Sequence, residues 1–149
     1  MTTHWLVATL HLLTLPLGLG AVWARARALR RLRSAAEAPA VFVADNLWGL
    51  AAILWIGTGA WRAFGGLEKG AAYYIHNRVF VLKMLLLAAV ILLEIRPAVT
   101  LTRWRGAVRR AGTVDLSPAP ALARISEIQA GIVVLMVFAA TAMARGFFY

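Results

Sequence analysis

The chain has 149 residues, of which 62% are hydrophobic and 15% charged. A soluble single-core domain, usually about 45–50% apolar, has no way to hide that much apolar surface, and disorder is excluded for the same reason. The net charge of +10 raises nucleic acid as a partner, while the absence of cysteine removes disulfides, zinc thiolates, iron–sulfur clusters and thiol catalysis.

A helix needs about 20 apolar residues to cross a bilayer core. Such runs occur at 5–24, 47–64 (beginning as early as Val41), 79–95 and 128–148. They are continuous, without the alternation of a barrel strand, so each reads as helix. The expected fold is all-α: one integral membrane four-helix bundle over residues 1–149. The first run is expected to be a retained helix and not a signal peptide, because no Lys or Arg precedes Arg25. Asp45 and Asn46 read as caps of the second span. Gly65, Gly66 and Gly70 mark the turn after it, and Pro97 marks the end of the third. Ser117 before Pro118 is a helix-start signal.

Arginine content sets the orientation. Arg25, Arg27, Arg30, Arg31 and Arg33 fall in the first loop, and Arg96, Arg103, Arg105, Arg109, Arg110 and Arg124 around the third. The positive-inside rule makes these loops cytoplasmic and places both termini on the other side. In a Gram-negative bacterium that other side is the periplasm, and the expected location is then the bacterial inner membrane. Topology then accounts for most of the positive charge, so membrane lipids and not nucleic acid are the expected partners. Trp5, Trp23, Trp104 and Tyr149 read as interface anchors.

An ionisable group in hydrocarbon costs about 2.5–3.5 kcal/mol on insertion scales and needs a reason. At 1.5 Å per residue, His11 lies about 9 Å below Trp5 and Lys83 about 9 Å below Asn77. Met143 reaches a similar depth. The expected inward stripes are His4, His11 and Gly18 on the first helix, and Trp48, Ala52, Trp55, Gly59 and Arg62 on the second. Lys83, Leu87, Val90 and Glu94 form the third, and Glu127, Gly131, Val134, Phe138, Thr141 and Arg145 the fourth.

His11 reads as a cofactor ligand or proton carrier, or else as a hydrogen-bonded interhelical histidine. Lys83 suits an anionic group such as a porphyrin propionate, or snorkels to the interface; the same alternative applies to Arg62, and Arg145 is expected to snorkel. Asp45, Glu94 and Glu127 are expected to pair with Arg124 or Arg96. Trp48 and Trp55 are core packing or the walls of a planar-ring site. His76 reads as an exposed loop residue, and Met136 and Met143 as packing. No phosphate-binding glycine loop, HExxH or nucleophile–base–orienter set occurs, which disfavours hydrolase and nucleotide chemistry.

Five segments carry a family resemblance: ATLHLLTLPLGLG, ADNLWGLAAILWIGTGAWRAFGGLEKG, YYIHNRVFVLKMLLL, LLEIRPAVTLTRWR and ARISEIQAGIVVLMVFAATAMARG. They resemble a family of small bacterial four-helix membrane proteins designated a domain of unknown function. Leu10-His11, Leu47-Trp48 and Lys83 carry a remoter resemblance to HemJ-type protoporphyrinogen oxidases and CopD-type copper-resistance proteins. HemJ-like proteins bind haem b in a four-helix bundle and oxidise a porphyrinogen. That resemblance implies His11 as axial metal ligand and Lys83 as an essential lysine. Val81 stands where the HemJ motif His-x-Lys has its histidine, so a second haem ligand is left open. A copper role finds no clustered His/Met motif.

Two functions follow. One is haem-b or porphyrin binding with membrane redox chemistry, in which His11 is the ligand and Lys83 and Arg62 hold acidic groups. The other is a non-enzymatic accessory or assembly subunit without a cofactor, packed in a homo-oligomer or a larger respiratory or photosynthetic complex. Gly49, Gly57, Gly59 and Gly131 are its contact candidates.

Overall fold

The computed structural model describes residues 2–65 and 76–146. Among them are four long helices: α1 (Thr2–Arg31), α2 (Ala38–Phe64), α3 (Arg78–Arg109) and α4 (Ala119–Ala144). One short 3-10 turn, Ala35–Glu37, precedes α2. The expected all-α bundle is the fold observed. Gly66, Glu68, Lys69, Gly70 and Tyr149 lie outside the described residues, as does the end of the fourth span.

The helices have 30, 27, 32 and 26 residues, so at 1.5 Å per residue they run about 39–48 Å, longer than the roughly 30 Å of bilayer hydrocarbon. They therefore extend past the apolar runs and carry arginines on helix. Arg25, Arg27, Arg30 and Arg31 belong to α1, not to a loop. Asp45 and Asn46 lie inside α2, which starts at Ala38, and do not cap it. Pro39 and Pro120 occupy the first turns of α2 and α4, where a missing N–H costs nothing. Asn77 caps α3, its side-chain oxygen accepting from the N–H groups of Val79 and Phe80 at 2.9 and 3.1 Å.

Pro97 does not end the third helix, which continues to Arg109. Proline removes one backbone hydrogen bond, but the inward stripe runs straight through it: Val90, Pro97, Leu101 and Trp104 are all buried. Burial of this face outweighs the lost bond. Trp104 is accordingly core and not an interface anchor, whereas Trp5 and Trp23 are 65% and 51% exposed.

Three helices are long and apolar enough to cross a membrane, α1, α2 with its preceding turn, and α4. The apolar stretch of α3 is interrupted by Lys83 and Glu94. Packing runs α2–α1–α4–α3, and among the described residues α2 and α3 lack an extended backbone approach. Their side chains join them instead. The outer surface is apolar, with Ile53, Leu92 and Phe138 each about two-thirds exposed or more. In water such a surface would aggregate, but it suits lipid.

The core is densest at the arginine-rich end, where Leu29, Val41, Leu101, Trp104, Leu122 and Ala123 pack together. A middle cluster holds Ala21, Val22, Trp48, Val90, Ala130 and Val133. At the opposite end only Ala63 and Phe80 form a small cluster, with Met84 and Met143 against it. Gly18 allows the α1–α2 approach, because a Cβ there would sit 3.3 Å from that of Ala51 and against the Trp48 ring.

The fourth stripe is rotated from expectation. Gly131, Val134, Phe138, Thr141 and Arg145 are exposed, while Leu122, Ser126, Gln129, Val133, Met136 and Ala139 are buried. Following the charges Glu127 and Arg145 selects the wrong face, because the polar residues turned inward on α4 are the neutral Ser126 and Gln129.

Candidate functional site

Two polar layers occupy the interior. The first is a cleft of about 490 Å³ at the histidine end, lined from all four helices. This volume falls within the range of small-molecule sites, roughly 300–1,000 Å³. His11 from α1, Arg62 from α2 and Lys83 from α3 all line it. Met136 and Met143 of α4 line it too, so His11, Lys83 and Met143 border one cleft. Trp55 and Phe80 supply aromatic walls.

His11 is held on three sides. Its Nδ1 lies 2.8 Å from the Thr58 hydroxyl. Its ring stacks on Trp55, centroids 5.8 Å apart at 30°. Gly59 leaves room for it, since a Cβ at that position would lie 3.2 Å from His11 Cε1. Thr58 itself donates to the Leu54 carbonyl at 2.6 Å, with the Trp55 carbonyl at 3.2 Å. His76 is exposed and Arg145 lies at the surface, so neither lines the cleft. Among the described residues no three His, Asp or Glu side chains gather as a metal-ion cluster.

The second layer is a buried ion network centred on Arg25, whose side chain is 0% exposed. Its Nη1 donates to Asp45 and to Glu94, both at 2.7 Å. Its Nη2 donates to Glu94 at 2.9 Å and to Gln129 at 2.8 Å, and its Nε to Ser126 at 3.0 Å. Glu94 also accepts from Trp48 Nε1 at 2.9 Å and from Gln129 at 2.7 Å. Arg105 donates to the second oxygen of Asp45 at 2.8 Å and to Asn46 at 2.9 Å. Arg25 and Arg105 balance Asp45 and Glu94, which offsets the cost of taking charges out of water. Among the described residues no buried side-chain nitrogen or oxygen lacks a partner.

This corrects the expected pairing. Asp45 and Glu94 pair with Arg25 and Arg105, and Glu127 with Arg30, not with Arg124 or Arg96. The Arg30–Glu127 pair is partly exposed and contributes little. The reason is reach: helices that overrun the hydrocarbon bring Arg25 and Arg105 level with carboxylates on neighbouring helices. A signal for Arg25 was present, since it continues the seven-residue series His4, His11, Gly18. Thr58 and Gln129 offered none beyond being polar inside an apolar run.

Outside the spans, Asp115 accepts from the Ser117 backbone N–H and hydroxyl, both at 2.9 Å. The backbone N–H first, and the hydroxyl second, hold its carboxyl below the ordinary aspartate value.

A family model described as "Predicted membrane protein (DUF2214)" matches residues 3–147. Neither the curated proteins nor the solved structures give a match.

Proposed function

The chain belongs to the DUF2214 family of predicted membrane proteins, and on that premise we propose that it binds haem b or a porphyrin in the cleft at its histidine end and acts in membrane redox chemistry. We place it in a bacterial inner membrane with both termini on the non-cytoplasmic side, because the arginines gather at the opposite end of the bundle.

The observation that carries this reading is the convergence of His11, Arg62 and Lys83 on one apolar-walled cleft. A tetrapyrrole of this class is a flat apolar ring with propionate carboxylates at one edge. Arg62 and Lys83 supply positive charge for the carboxylates. Trp55 and Phe80 supply aromatic surface in the cleft wall. His11 offers a ring nitrogen to a central metal. When bound, the iron supplies the one-electron chemistry. The residues of the chain hold the ring, fix its edge and exclude water from it.

Protein purified in mild detergent from haem-replete cells is expected to show a Soret band that shifts on dithionite reduction, and His11→Ala to lose it. A colourless preparation that stays colourless after addition of hemin overturns the reading.

A second reading, an accessory subunit of a larger membrane complex, draws support from Gly49, Gly57 and Gly131. A Cβ at any of them would meet nothing within 4 Å. Such open positions suit a neighbouring helix. Co-purification at fixed stoichiometry from gently solubilised membrane supports it, and migration alone counts against it.

A further inference from the structure

A hydroxyl carries a single hydrogen, and Thr58 has three polar neighbours for it. The Leu54 and Trp55 carbonyls lie 2.6 and 3.2 Å from the Thr58 oxygen, and His11 Nδ1 lies at 2.8 Å. Carbonyls only accept. Were the hydrogen turned toward His11, the Thr58 oxygen would face the Leu54 carbonyl lone pair to lone pair at 2.6 Å. The hydrogen therefore goes to Leu54, and the remaining contact requires His11 Nδ1–H to donate to Thr58. A neutral imidazole protonated at Nδ1 carries its lone pair on Nε2. Stacking on Trp55 and seating over Gly59 restrict the ring from turning to exchange its nitrogens.

We infer that Thr58 is a positioning residue that fixes His11 as the Nδ1–H tautomer, so that the cleft presents an electron-pair donor at Nε2. The consequence for ligand choice rests on the tetrapyrrole reading above. A cleft with two cations and a fixed lone pair selects an anionic molecule with an electron-pair-accepting centre, such as a metal-bearing tetrapyrrole. A simple apolar acid satisfies Arg62 and Lys83 but leaves Nε2 without a partner. Outer partners of this kind change metal-ligand affinity by about 10–100-fold.

The test uses full-length protein with 15N-labelled histidine, free of ligand, in detergent at about pH 8, above the usual histidine range. The sequence has three histidines, so His11→Gln assigns the signal. His11 is expected as Nδ1–H in the wild type and in Thr58→Ser, which keeps the hydroxyl. In the near-isosteric Thr58→Val it shifts toward Nε2–H, the form free imidazole side chains prefer. Hemin titration then follows the same order, Thr58→Val binding about 10–100-fold more weakly and Thr58→Ser near wild type. Oleate at equal concentration is expected not to displace hemin. A wild-type His11 in the Nε2–H form, or a tautomer unmoved by Thr58→Val, overturns the role of Thr58. If the tautomers behave as stated and hemin does not bind, Thr58 keeps its role and the tetrapyrrole reading falls.

Discussion

Arg25 and Glu94 meet through a two-point fork, Nη1 to Oε1 at 2.7 Å and Nη2 to Oε2 at 2.9 Å, across 69 residues of chain. Parallel charge-assisted bonds of this kind fix direction as well as distance. Here they tie α1 to α3, helices that do not neighbour one another in the packing order.

Breaking the fork by removing one partner leaves the other charge buried alone. Arg25→Ala and Glu94→Ala are each expected to cost about 3–5 kcal/mol, and the double variant less than the sum. Equilibrium unfolding in mixed micelles measures this. Additive costs would show that the pair is not coupled.

Gly59 should be intolerant of side chains for a reason specific to His11. Gly59→Ala places a Cβ 3.2 Å from Cε1, so the ring must give by a few tenths of an ångström, and Gly59→Val must displace it. The expected order of hemin affinity is wild type, Ala, then Val, with the unfolding midpoint changed far less than in the Arg25 variants. Equal affinity in all three removes His11 from the binding site.

Lys83 and Arg62 are assigned to carboxylates, which esterification neutralises. Lys83→Met is expected to weaken hemin binding about tenfold, a loss of ~1.4 kcal/mol. It should leave the affinity for hemin dimethyl ester near wild type. Arg62→Gln should behave alike. A variant that weakens both ligands equally acts through packing and not through charge.

Asp115 gives a pH prediction outside the membrane. Its folded pKa is depressed, chiefly by the Ser117 backbone N–H, so the turn gains stability above the ordinary aspartate range near 4 and loses it as pH falls through the lowered value. The 13C carboxyl titration of Asp115 should have its midpoint below that of a reference peptide. Ser117→Ala should move it part of the way back, since the backbone donor remains. A midpoint at or above the reference value contradicts the turn.

Much of this was legible in the sequence, and the failures have separate physical causes. Apolar run length revealed the helices, and stripes at 3.6-residue spacing correctly turned Trp48, Trp55, Lys83 and Glu94 inward. Helix ends were misplaced because hydrophobicity marks the lipid-facing stretch and not the hydrogen-bonded one. Ala38–Ala44 and Ala98–Trp104 are helical because each buries a face in the cluster shared with Leu29 of α1 and Leu122 of α4. Arg25 was misread as a loop charge because an arginine beside an apolar run normally meets water. Nothing in a single chain announces that two carboxylates, an amide and a hydroxyl await it on other helices. Thr58 was invisible for a different reason, since its significance lies in where one hydrogen points.

The balance of charge in the Arg25 layer also bears on how the bundle comes together. The α1–α2 hairpin carries Arg25 and Asp45 and pairs them within itself, whereas on α3 Glu94 and Arg105 lie eleven residues apart, about 17 Å along the helix, too far to pair with each other. The hairpin can enter the bilayer with its pair formed, while Glu94 takes its counter-charge from α1. Docking then adds partners to that pair: Arg25 gains Glu94, Asp45 gains Arg105, and Ser126 and Gln129 of α4 complete the set. The finished arrangement cannot form within either half alone, which makes it a checkpoint for correct assembly of the two.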